Sequence, residues 1–346
     1  MPPGTFIDGR YEVRGFLGLG SYGEVYEVFD HNQHQVVALK LLDPTKSGPW
    51  PWQEAVQLTR LRSDFILPVW NAAIFSGIAY IVTELATNGT AERLVSVLPR
   101  PAPMAAVRLT RQAARGATRA HDDGVVHRDI KLENLFLDGK GGVRLGDFGL
   151  AHPLIGGFAP TGGTPATMAP EVMAGGPTSV ASDVYSLGCC IYQLLTGWSP
   201  YLDRNPLDLA ALHQMAATSA PTPVRDLAPH VSRALASRID RALARDPSDR
   251  YGSAAEFDAD LGRVPAPALN WQPVPTHPGH IGCWECAPPP GSALRICVVM
   301  PSSGGGTDIE VARVGSNRRV AKLCRKNVQN RATLGALRAA FEALGN

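Results

Sequence analysis

The sequence predicts an α+β chain in two unequal parts followed by a small third one, and three observations lead there. Residues 11 to 85 alternate in strand fashion, the apolar positions return at helical spacing from 104 onward, and prolines crowd the stretch after Gly262. The strand-like part holds YEVRGFLG, EVYEVFD, QVVALKLL and IAYIVTEL, rich in β-branched and aromatic residues. Between the third strand and the later ones, WQEAVQLTRLR sets Ala55, Leu58 and Leu61 on one helical face. The larger part holds MAAVRLTRQAARGATRAHDDG, SDVYSLGCCIYQLLTG, NPLDLAALHQMAA and VSRALASRIDRALARD, each read as a helix. Over 263–290, VPAPALNWQPVPTHPGHIGCWECAPPP carries eight prolines and reads as a stiff linker. Beyond it, ALRICVVM, the turn PSSGGGTD and IEVARV read as a hairpin, and RATLGALRAAFEAL as a closing amphipathic helix. Together they form a small α/β module over 291–346.

Composition narrows the class. With 346 residues the chain is long enough for well-buried cores. A net charge of +2 gives no global field of the kind a nucleic-acid or membrane binder carries. The longest strongly apolar run, LGCCIYQLL, is far short of the roughly 20 residues that span a bilayer. The N-terminus MPPGTFIDGRYEV lacks the basic-then-apolar form of a secretory signal, so a cytoplasmic protein without membrane partners is expected. The six cysteines agree, because Cys189 and Cys190 sit inside an apolar run as reduced core thiols.

The chemistry lies in four separated segments. GLGSYGEV places Gly18, Gly20 and Gly23 between two strands, where missing Cβ atoms let backbone amides approach a polyphosphate. Alone this is weak, since a glycine-rich hairpin turn explains it equally well; a dinucleotide loop needs a helix next, and a Walker loop needs Gly-Lys-Ser/Thr. Seventeen residues after Gly23, Lys40 of VALK stands on the next strand, with Glu54 as the carboxylate placed to pair with it. HRDIKLENLF then gathers acids, a cation and an amide, and thirteen residues after Asn134 comes Asp147 of GDFGL. Asp129 can accept a hydroxyl proton, Asn134 and Asp147 offer hard oxygens for Mg²⁺, and Lys131 offers positive charge to a transferred group.

This ordered set resembles the protein kinase family, in particular bacterial Ser/Thr kinases of eukaryotic type, over residues 9 to 262. The resemblance implies a bilobal fold with a β-rich N-lobe over about 9–86 and a helical C-lobe over about 87–262. It implies ATP, with Leu17, Gly18, Gly20, Gly23, Val25, Ala38, Lys40, Thr83, Glu84 and Ala86 around it. Among these Val25 packs on adenine, Thr83 is the gatekeeper, and Glu84 to Ala86 form the hinge. Lys40 contacts the α- and β-phosphates and pairs with Glu54; Asp129 is the base; Asn134 and Asp147 hold Mg²⁺; Lys131 steadies the γ-phosphate. Thr164 of GTPATMAPE lies near Asp129 and Lys131, Glu171 pairs with Arg250, and Asp183 braces the catalytic loop. A lysine two residues after Asp129 resembles the Ser/Thr branch, so the implied substrate is a protein Ser/Thr hydroxyl. Retention of Lys40, Asp129, Asn134 and Asp147 argues against the alternative, a nucleotide-binding pseudokinase scaffold.

Three features depart from the common pattern. Pro49 and Pro51 shorten the helix bearing Glu54, Thr167 replaces the usual aromatic residue before MAPE, and the segment from Asp147 to Glu171 contains no serine. Arg128 before Asp129 signals control by phosphorylation; Thr161 is the candidate acceptor, the alternative being an unmodified loop.

In the last part, HPGHIGCWEC spaces His277, His280, Cys283 and Cys286 three apart, a candidate zinc set, with Cys297 or Cys324 able to complete a site with the cysteines. The competing reading is reduced thiols in a linker. From 291 onward nine basic residues face three acidic ones, which allows a partner protein or nucleic acid, or simply a solvated helix face. A recruiting module is expected; the tail as an effector set by cis-phosphorylation is the other option.

Overall fold

The computed structural model describes residues 1–20, 23–43, 61–97, 99–148, 150–286, 293–300 and 306–345. A six-stranded antiparallel sheet opens the chain. Its strands are β1 (Phe6–Ile7), β2 (Tyr11–Gly20), β3 (Gly23–Asp30), β4 (Gln35–Leu42), β5 (Val69–Phe75) and β6 (Ile78–Glu84), in the order β1-β2-β3-β4-β6-β5. The period of two divides the faces. Tyr11, Val13, Tyr26, Val28, Val37, Leu39, Tyr80 and Val82 form one buried cluster. The opposite face carries Val25, Ala38, Lys40, Ile81 and Thr83, aligned because Val25 stands opposite Lys40, Lys40 opposite Ile81, and Ala38 opposite Thr83.

The helical lobe is built from α1 (Pro103–Asp122), α2 (Val180–Thr196), α3 (Leu209–Thr218), α4 (Arg233–Ala242) and α5 (Ala254–Leu261). In α1 a buried stripe of Ala106, Leu109, Ala113, Ala117 and Ala120 follows helical spacing; its small side chains let neighbouring backbones come close. The second helix, α2, is buried on nearly every side, and the Ser182 hydroxyl accepts the Ser179 N–H at 3.1 Å to close its first turn. Two short ribbons complete the lobe: β7 (Val125–Val126) pairs with β10 (His152–Pro153), and β8 (Leu135–Leu137) with β9 (Val143–Leu145). Phe65 and Leu67 flank Leu145 with backbone bonds of 2.8 Å each, tying the chain just before β5 to the ribbon below it. Among the described residues no helix is long and apolar enough to cross a membrane.

The C-terminal module is larger than the sequence reading placed it. Its antiparallel sheet runs in chain order through β11 (Gln272–Val274), β12 (His280–Cys286), β13 (Leu294–Val299), β14 (Thr307–Arg313) and β15 (Arg325–Val328), with α6 (Asn330–Ala343) against one face. Two of its strands therefore come from 263–290, the stretch expected to be a linker. The proline content misled because Pro273 lies in the edge strand β11, where a missing N–H is tolerated. The expected hairpin of β13 and β14 is present, with Cys297 opposite Glu310.

The module docks on the helical lobe. Glu342 of α6 receives Arg225 at 2.7 Å and Arg233 at 3.1 Å, and Arg338 pairs with Asp226. His230, 1 % exposed, stacks near Trp284 of β12 and Phe341 of α6, while Trp271 and Phe341 meet edge-on at 5.3 Å. Arg338 is thus spent on docking and Arg319 on Glu310, which takes two members of the basic tail away from an external partner.

Burial, helped by the nearby Arg100 charge, pushes the His230 imidazole down to about 3. The unfolded chain then takes up a proton near pH 6.5 that the folded chain refuses, so this contribution is whole above that pH and is lost as pH falls toward 3. At about pH 5.5 the loss is about 1.4 kcal/mol. Thermal melts at about pH 7.5 and 5.5 are expected to show a drop for the native chain that His230→Gln reduces by that amount.

Candidate active site

Immediately after β7 the chain makes a tight bend, and one buried carboxylate holds it. Asp183, 1 % exposed near the start of α2, accepts the backbone N–H groups of His127 at 2.8 Å and Arg128 at 2.9 Å. His121 Nε2 reaches the same carboxylate at 2.8 Å. Burial alone would raise the Asp183 carboxyl, but the hydrogen bond from His121 and the nearby His127 outweigh it and hold it below the usual range. Arg128 sits at φ 71°, a left-handed conformation that the Asp183 bonds help to hold. The His127 ring, fully buried, bonds the Gly146 carbonyl at 3.0 Å and packs on Phe148, which joins HRD to DFG.

Asp129 follows with both carboxylate oxygens engaged. Its Oδ1 accepts the Thr164 hydroxyl at 2.5 Å; its Oδ2 lies 2.9 Å from Lys131 Nζ and 3.2 Å from Asn134 Nδ2. Lys131 also donates to Thr164 Oγ1 at 2.8 Å. Asp129, Lys131 and Thr164 therefore form one closed unit, with Thr164 beside the other two as the resemblance implied. The Asn134 amide nitrogen also donates to the Asp129 carbonyl at 2.8 Å, which turns the amide oxygen the other way.

Lys40 and Asp147 bring the two lobes together with an ion pair of 2.5 Å. Desolvation would raise the Asp147 carboxyl, but Lys40, with smaller help from His127 and Lys131, brings it below its ordinary value. It is an anion at neutral pH. The implied Mg²⁺ fits this donor set: the Asp147 carboxylate and the Asn134 amide oxygen are hard oxygen ligands, and no thiol or imidazole competes among the residues named for it. The expected partner Glu54 lies outside the described residues, as do Ala55 and Leu58.

The placing of the residues expected around ATP follows from register. Val25, Ala38, Lys40 and Thr83 share one sheet face, and Glu84, which ends β6, is paired with Arg144 at 2.6 Å. Leu17 lies at a bulge of β2 between Phe16 and Gly18, half exposed, and Ala86 lies in the connection that follows β6. Gly20 and Gly23 bracket the tip of the β2–β3 hairpin; a Cβ on Gly23 would fall 1.7 Å from the Leu41 carbonyl oxygen, so only glycine fits.

Further along, Arg128 Nη2 reaches the Thr161 carbonyl at 3.3 Å, and a Cβ on Gly162 would collide with the guanidinium at 2.3 Å. The Thr161 side chain is exposed and donates to the Gly176 carbonyl at 2.7 Å. Glu171 and the buried Arg250 form a two-pronged pair at 2.8 and 2.7 Å, and Arg250 also donates to the Ala181, Ala244 and Arg245 carbonyls. Thr167 is buried where an aromatic residue was the common alternative, and its carbonyl accepts the Ser186 hydroxyl at 2.9 Å. The sequence reading missed His121 and Arg144, whose partners lie about 60 residues away and leave no local signal.

Comparison with known proteins agrees with this geometry. The signature of the protein kinase domain matches residues 11–259. The chain belongs to the protein kinase family. It is 33% identical to the serine/threonine-protein kinase PknL of Mycobacterium tuberculosis over 289 residues, covering 78% of this chain and 71% of that protein. It is 31% identical to the serine/threonine-protein kinase PknB of Mycobacterium leprae, covering 75% of this chain and 43% of that protein. With PknD of Mycobacterium tuberculosis the identity is 32%, over 72% of this chain and 39% of that protein. The chain thus spans under half the length of two of these kinases.

Outside the kinase domain, the predicted metal residues separate. His277, His280 and Cys283 come together, but Cys286 does not join them: it faces the core with Trp271, Ile296 and Phe341. Three residues on a regular strand reverse the side-chain direction, so Cys283 and Cys286 point to opposite faces. Cys297 stands in its place. Cys324 bonds the Val311 N–H at 3.4 Å instead.

Arg250→Leu in the kinase domain removes both prongs from Glu171 and leaves three carbonyls without their donor. Urea unfolding is expected to show a loss of about 3 kcal/mol, with Glu171→Gln costing less because the carbonyl bonds survive.

Proposed function

We propose that the chain is an active serine/threonine protein kinase that transfers the γ-phosphoryl group of Mg-ATP to protein hydroxyls and also phosphorylates itself. The single observation that carries this reading is the closed unit of Asp129, Lys131, Thr164 and Asn134 facing the Lys40–Asp147 pair. A scaffold that only bound nucleotide would have no use for an ordered base beside a lysine. Bound Mg²⁺ would neutralise charge on the phosphates, with Asp147 and Asn134 as its protein ligands. Lys40 would then turn from Asp147 to the α- and β-phosphates, and Lys131 would stand by the γ-phosphate. Asp129 takes the proton of the acceptor hydroxyl as the new P–O bond forms and the bond to the ADP oxygen breaks. Leu17, Val25, Ala38, Thr83 and the 84–86 connection would enclose the adenine. We take the compartment to be the cytoplasm, where ATP is available, and the C-terminal module to recruit a protein partner or substrate.

Asp129→Asn is expected to lower the rate of phosphate transfer from labelled ATP by about 10²–10⁴-fold while calorimetry shows nucleotide binding retained. Equal transfer by the variant would remove Asp129 from the role of base, and binding without transfer in the native chain would favour the scaffold.

Control through Thr161 rests on Arg128, which already lies against the Thr161–Gly162 backbone and would gain a phosphate partner there. Mass spectrometry of the autophosphorylated chain is expected to find phosphate on Thr161, and Thr161→Ala to slow substrate phosphorylation at least about tenfold. A variant as fast as the native chain would sink the switch.

A further inference from the structure

The C-terminal sheet has two faces with different kinds of filling. On the face toward α6, Trp284, Ile296, Val298, Ile309 and Val311 form an ordinary apolar core with Leu337 and Phe341. On the other face, Cys283 and Cys297 stand directly opposite each other on β12 and β13. They are 2 % and 4 % exposed. What lies over them is a pair of imidazoles. His277 Nδ1 is 3.1 Å and His280 Nδ1 3.3 Å from Cys283 Sγ, and the two sulfurs are 3.1 Å apart. One ligand atom from each of the four residues lies within 4.8 Å of every other.

We propose that His277, His280, Cys283 and Cys297 form a structural Zn²⁺ site that fastens the β11–β12 turn onto the β12–β13 hairpin.

Three features support it. The donor set, two thiols and two imidazoles, is the soft tetrahedral type that selects zinc. All four positions are filled by protein, which is the closed arrangement of a structural site. The backbone is also adapted to it. On a regular strand His280 and Cys283 would point to opposite faces, but the register slips between His280 and Gly282, giving β12 one extra residue against β13. That bulge turns a spacing of three into an effective two and brings His280 over Cys283. A tetrahedral zinc with bonds of about 2.0–2.3 Å sets ligand atoms roughly 3.3–3.8 Å apart, so the contacts of 3.1 and 3.3 Å around Cys283 would open slightly and the wider ones, such as the 3.9 Å from Cys297 Sγ to His277 Nδ1, would close. It is far from the roughly 2.05 Å of a disulfide. Arg295 Nη1 lies 2.9 Å from His277 Nε2. Metal on Nδ1 would put the imidazole proton on Nε2, so Arg295 would turn toward Glu285, now 3.8 Å away.

Loading releases the two thiol protons as the two Zn–S and two Zn–N bonds form; no electron moves. The test uses the full chain, purified without chelator from zinc-supplemented cells. Elemental analysis is expected to give about one zinc per chain, lost in Cys283→Ser and Cys297→Ser but kept in Cys286→Ser. Should the serine variants fail to fold, Co²⁺ added to the reduced native chain provides the second reading: intense tetrahedral visible bands with sulfur charge-transfer absorption. Zinc absent from the native chain together with no such spectrum overturns the site. So does a Cys283–Cys297 disulfide in the non-reduced peptide map, or zinc retained by Cys297→Ser and lost by Cys286→Ser.

Discussion

One buried carboxylate, that of Asp183, holds the loop on which the proposed chemistry of this chain depends. Asp183 is buried at the start of α2, where an unpaired charge would cost several kcal/mol. It is tolerated because two backbone N–H groups and one imidazole converge on it. The same bonds hold Arg128 in its positive-φ turn, and that turn decides where Asp129 points. A strained backbone of this kind costs on the order of 1–3 kcal/mol and persists only where its surroundings over-determine it. Here α1 supplies His121, α2 supplies Asp183, and the Gly146 carbonyl anchors His127 from the DFG side. Three elements distant in sequence thus fix one loop, and the helical lobe acts as a rigid mount rather than a passive core.

The Lys40–Asp147 pair has a different character. It crosses between lobes, involves two groups that each have a second task, and remains partly open to solvent. Asp147 shares its segment with Phe148, which rests on His127, so the position of Asp147 is coupled to the loop bearing Asp129. The Asp183 brace and the interlobe pair are consequently parts of one mechanical chain running through HRD and DFG.

The sequence exposed those parts of the site whose chemistry is local. HRDIKLEN, GDFG and GTPATMAPE each carry several constrained residues within a few positions, so the resemblance could attach an expected role to each. The faces of the first sheet were partly legible, because alternation sets Ala38 and Lys40 on one side of β4, and the β3–β4 register then adds Val25. Contacts closed by tertiary structure were not. Nothing near His121 announces Asp183, and nothing near Glu84 announces Arg144. The C-terminal module was misjudged for a related reason. Proline content describes backbone stiffness, not pairing, and Pro273 pairs with Trp284 on the edge strand β11, the place in a sheet where proline is tolerated. The choice of Cys286 over Cys297 came from counting along the chain, when the deciding quantities were a bulge and a cross-strand register.

That register also explains how the module's two faces are related. Cys283 and Trp284 are consecutive on β12, so they point to opposite sides of the sheet: one toward the histidines, the other toward Phe341 and His230. Any slip of β12 against β13 by one residue would exchange them, placing a thiol in the apolar core and an indole among polar groups. The bulge after His280 absorbs the extra residue before this point, which leaves the pairing of Cys283 with Cys297 and of Trp284 with Ile296 intact. Whatever pins the histidine-bearing turn therefore also pins the register that presents Trp284 to the helical lobe. Docking through Glu342, Arg338 and the buried His230 then depends on a strand whose alignment is set on the far side of the sheet.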